Sequence, residues 1–126
     1  MDNEKMAKFH HLENAMKSMT FSAKYLAEKA YSEIGKSVDI DFHKTAATAF
    51  VNQASAYMSS AYAIYHSNID FLEHYDIDPV FTKFFSFAEE LLKSFSENHS
   101  YQHTFIYFDD FKESFESSCL NVPIEE

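Results

Sequence analysis

Apolar residues recur at intervals of three and four along most of this chain, the period that gathers them on one side of an α-helix. Between Thr45 and Leu72 two such stripes run side by side. One reads Ala46, Ala49, Phe50, Tyr57, Ala61, Ile64 and Phe71, and the other Ala47, Val51, Ala54, Met58, Tyr62, Tyr65 and Ile69. A helix with two apolar stripes has neighbours on two sides. This segment is therefore expected to be the central helix, its alanines letting partner backbones come close.

Upstream, Met6, Phe9, Met16, Met19, Ala23, Leu26, Ala27, Ala30 and Ile34 keep helical spacing as far as Gly35, the only glycine, which suits a left-handed residue just past a helix end. The methionines on that face read as core filling. Asp39 or Asp41 is expected to cap the second helix. Near Tyr75 the chain turns again, and Asp78 before Pro79 reads as cap and first residue of a third helix.

That third helix is the most strongly patterned, with Phe81, Phe84, Phe85, Ala88, Leu91, Leu92 and Phe95 on one face and Lys83, Glu89, Glu90 and Lys93 off it. Asn98 to Ser100 reads as a break with Ser100 as the next cap. Tyr101, Phe105, Phe108, Phe111 and Phe115 then stripe a fourth helix, leaving Ile106 and Tyr107 outside it. Both connectors carry Asp-Ile-Asp with a threonine four residues later, at Asp39 to Thr45 and Asp76 to Thr82, which reads as two capping turns.

The expected fold is all-α: a single-domain four-helix up-and-down bundle, with helices at about 3–34, 42–74, 79–97 and 101–117. The bundle is assigned residues 1–118, and the aperiodic segment 119–126 is expected to be a flexible acidic tail. Aromatic residues without any tryptophan make up 17% of the chain. Rings on the outer helices then call for small residues on the helix opposite.

Charge narrows the function. The 126 residues carry a formal charge of −10, from 20 acidic against 10 basic side chains. Direct binding to nucleic acid or to an anionic membrane needs clustered positive charge, so neither is expected. Every basic residue is lysine, which removes the bidentate guanidinium grip used by many phosphate-handling sites. The single Cys119 fits a reducing compartment. No secretory signal or membrane-spanning run is visible, which points to the cytoplasm, or the host cytoplasm for a phage-encoded protein.

Candidate chemistry is sparse. His99 and His103 lie four apart, and Glu13 with His10, His43, His66 with Asp70, and Glu73 with His74 add further potential ligands. A metal site needs three or four groups converging from several helices. The repeated Glu-x-x-His pair of di-iron bundles is absent, and so is the ligand spacing of hemerythrin-like bundles. Cys119 sits in the expected tail with no fixed base, and one glycine cannot build a phosphate loop. Glu89 with Glu90 and Asp109 with Asp110 are adjacent pairs that point apart on a helix. No catalytic residue, metal ligand or cofactor is assigned.

Surface character remains. Acidic residues weight the second half of the chain, and Tyr62, Tyr65, Phe87 and Tyr107 are expected outside the core stripes. An acidic surface with exposed rings suits docking on a basic protein, where charge steers the encounter and rings anchor it. The residues assigned to that role are Tyr62, Tyr65, Glu73, Asp76, Glu89, Glu90, Tyr107, Asp109 and Asp110. The expected function is a non-catalytic inhibitor or adaptor, of the kind a phage or mobile element encodes, that docks on a nucleic-acid-handling partner and imitates its phosphates. The rival readings are a histidine and carboxylate metal site within the bundle, and a homodimer formed through the second face of the central helix.

Overall fold

The computed structural model of the chain describes residues 3–34, 40–72, 77–97 and 101–121. Four long helices, α1 (Asn3–Ile34), α2 (Ile40–Ser67), α4 (Asp78–Glu97) and α5 (Gln102–Glu116), are joined by a single-turn helix α3 (Ile69–Leu72) and followed by a 3-10 turn at Cys119–Asn121. No strand occurs among the described residues. The all-α four-helix bundle read from the periodicity is the observed fold.

Contacts between helices fix the topology. Glu33 meets His43 and the Lys29 ammonium lies over the Phe50 ring, so α1 and α2 run antiparallel. Tyr62 meets Phe81 while Lys44 lies over Phe95, which makes α2 and α4 antiparallel. Phe84 packs on Phe111 and Phe87 on Phe108, so α4 and α5 are antiparallel too. Phe21 against Phe115 and Tyr31 against Phe105 close the ring between α5 and α1. Each long helix therefore has two neighbours, with α2 diagonal to α5.

The buried positions follow a 3.5-residue repeat more closely than an ideal 3.6 one. Apart from Lys17, buried beside Met16, they are Met16, Thr20, Ala23, Ala27, Ala30 and Ile34 on α1, and Ala47, Val51, Ala54, Met58, Ala61 and Tyr65 on α2. Alternating steps of three and four keep one seam facing one partner along the whole helix. Alanine dominates the α1/α2 seam, whereas phenylalanine fills the one between α4 and α5. The buried Thr20 hydroxyl donates to the Met16 carbonyl at 2.8 Å, so it costs the seam no unpaired donor.

Several expectations change. The second helix buries one face rather than two: Ala49, Tyr57 and Tyr62 are exposed, and α2 is a corner of the bundle rather than its centre. Tyr65 is 2% exposed and Phe87 fully buried, so both belong to the core and not outside it. Leu92 and Met6, assigned to inner stripes, are exposed.

Helix 42–74 also divides. The Asn68 side chain donates to the Ile64 carbonyl at 2.9 Å, taking the acceptor that its own backbone N–H would use. The Asn68 N–H turns instead to Tyr65, and α2 stops at Ser67. Asp41 falls inside the first turn of α2, not at its cap, and α5 opens at Tyr101 without a side-chain cap. Gly35, Asp39, Asp76 and the segment 98–100 lie outside the described residues.

The C-terminal boundary moves as well. The Ser118 hydroxyl donates to the Phe115 carbonyl at 2.7 Å and accepts from the Leu120 N–H at 3.2 Å. This local turn aims Leu120 into the core, where it is fully buried. Cys119–Asn121 thus packs on α1 and α5, and the expected tail is not loose from residue 119. Residues 122–126 lie outside the described residues.

Candidate functional site

Charge is divided between the two hairpins. The sequences of α4 and α5 hold eight acidic side chains against three lysines, whereas α1 and α2 hold five against six. Four carboxylates of α5, on Asp109, Asp110, Glu113 and Glu116, are exposed, and Lys112 is its only lysine. On α4, Glu89 and Glu97 are exposed and Glu90 is half-buried.

Their placement opposes local stability. A helix C-terminus carries partial negative charge and favours cations, each worth roughly 0.3–1 kcal/mol. Neither α4 nor α5 has a basic residue in its last turn, and Glu97, Glu113 and Glu116 stand there instead. Within the acidic surface lie two uncharged anchors, Ile106 at 51% exposure and Tyr107 at 37%. Tyr107 and Asp110, three residues apart, share one side of α5.

The proposed docking residues do not form one group. Glu89, Glu90, Tyr107, Asp109 and Asp110 belong to the acidic hairpin. Tyr62 stands apart on α2, with its ring 4.2 Å from His66 and edge-on to Phe81 at 5.4 Å. The burial of Tyr65 withdraws its ring from any docking surface. Glu73 and Asp76 lie outside the described residues. In the sequence Glu113 and Glu116 count only toward the general acidic surface and Ile106 has no site role; the run of acids closing a helix that lacks a terminal lysine is the signal that sets the first two apart.

Histidines act as links between helices. His43 bonds Glu33 where α1 meets α2, and both side chains are largely buried. At the far end of α2, His66 Nε2 lies 2.9 Å from Asp78 Oδ1, in the open. His66 therefore faces Asp78 rather than Asp70, and Glu13 pairs with Lys17 at 3.4 Å. Among the described residues no group of three or more His, Cys, Asp or Glu could hold a metal ion. His99 lies outside those residues, and His103 is exposed.

Cys119 is half-buried beside Lys17 and Glu13. Burial pushes its thiol above the usual range, and the backbone bond and the Lys17 charge offset this only in part. A thiol held neutral is a poor nucleophile. Among the described residues no helix is long and apolar enough to cross a membrane. Compared with protein-family models, curated proteins and solved structures, the chain matches none of them.

Proposed function

We propose that the protein works by binding, with the outer face of the α4/α5 hairpin docking on a basic surface of another protein. The observation that carries this reading is the excess of acids on that hairpin, eight against three lysines even with Asp78 turned to His66, together with the exposed Ile106 and Tyr107. Carboxylates kept at helix ends where they oppose the backbone dipole are retained at a cost in stability. A docking role gives that cost a return, because one-signed charge raises the rate of encounter with an oppositely charged surface. The Tyr107 ring and the Ile106 side chain set among the acids then supply the contact area that slows dissociation.

A basic groove built for nucleic acid is the partner chemistry that fits best, since spaced carboxylates along a helix present charge as phosphates do. The protein then acts as a competitor of the nucleic acid, with no covalent step of its own. Affinity capture from native lysate tests this, comparing low salt with about 0.5 M, where charges a few ångströms apart are strongly screened. Retention of a basic protein at low salt and its release at high salt supports the reading. Capture that ignores salt, or yields only acidic proteins, overturns it.

A further inference from the structure

We draw no further inference here: the strongest candidate, the aromatic patch along the α1/α2 groove where the Lys29 ammonium lies over the rings of exposed Tyr25 and half-buried Phe50 and the exposed Tyr57 follows on α2, is an unpartnered face, and nothing in the structure shows what covers it.

Discussion

Ala54 is fully buried and Ala56, two residues on, faces solvent. The pair divides α2 into a side packed on α1 and a side open to solvent at Ala49, Ala56 and Ala63. A larger residue has no room at the first position and ample room at the second. Ala54→Leu is expected to destabilise the bundle by about 1–3 kcal/mol through overpacking. Ala56→Leu is expected to stay within about 0.5 kcal/mol, as exposed substitutions usually do. Urea unfolding of the two variants at low protein concentration makes the comparison.

The α4/α5 hairpin holds one buried polar contact, between the Ser94 and Thr104 hydroxyls at 3.2 Å. Removing one partner leaves the other buried and less well satisfied, whereas removing both leaves an apolar seam. Ser94→Ala and Thr104→Val are each expected to cost about 1–2 kcal/mol, and the double variant less than their sum. A double-mutant cycle in urea measures the coupling.

Leu120 anchors the end of the described chain to the core. Leu120→Ala is expected to cost about 2–4 kcal/mol, the range for a buried leucine cut back to alanine. Ser118→Ala removes the hydroxyl that joins the Phe115 carbonyl to the Leu120 N–H and is expected to lower the melting temperature in the same direction. Thermal unfolding followed by circular dichroism records both.

Alkaline pH is expected to weaken the fold. Burial raises the Cys119 thiol and the Tyr101 phenol above their ordinary values. The folded state therefore holds those protons more tightly than the unfolded chain. Stability from this source is complete below the unfolded pKa of each group and is lost as pH rises through the higher folded one. The melting temperature should fall first above about pH 9, where unfolded thiols ionise, and again above about pH 10 for the phenol. Cys119→Ala is expected to remove the first step and keep the second.

The sequence displays most of the bundle because many large apolar residues mark their seams, as Phe84, Leu91, Phe108 and Phe115 do, although Leu92 and Phe87 are read on the wrong sides. Alanine marks nothing by itself. Its methyl group changes little whether buried or exposed, so Ala49 and Ala61 look alike in a stripe although only Ala61 is inside. Polar letters conceal the seam in the opposite way: Thr20, Ser94 and Thr104 occupy inner positions because each finds a local hydroxyl or carbonyl partner. The stop at Asn68 and the inward turn at Leu120 each depend on the hydrogen bonds of one side chain, Asn68 and Ser118, which leave no periodic trace. The acidic hairpin was legible as composition, while its separation from Tyr62 and the loss of Tyr65 to the core required the fold.

The docking account is tested most directly by quantitative comparison of what wild type and an Asp109→Asn, Asp110→Asn, Glu113→Gln variant retain from the same lysate at low salt, with both proteins shown to melt alike. Neutralising three carboxylates is expected to reduce recovery of the basic partner at least tenfold, since each tenfold corresponds to about 1.4 kcal/mol of binding. Equal recovery by the two proteins would contradict the claim that the outer face of α4 and α5 is where this protein acts.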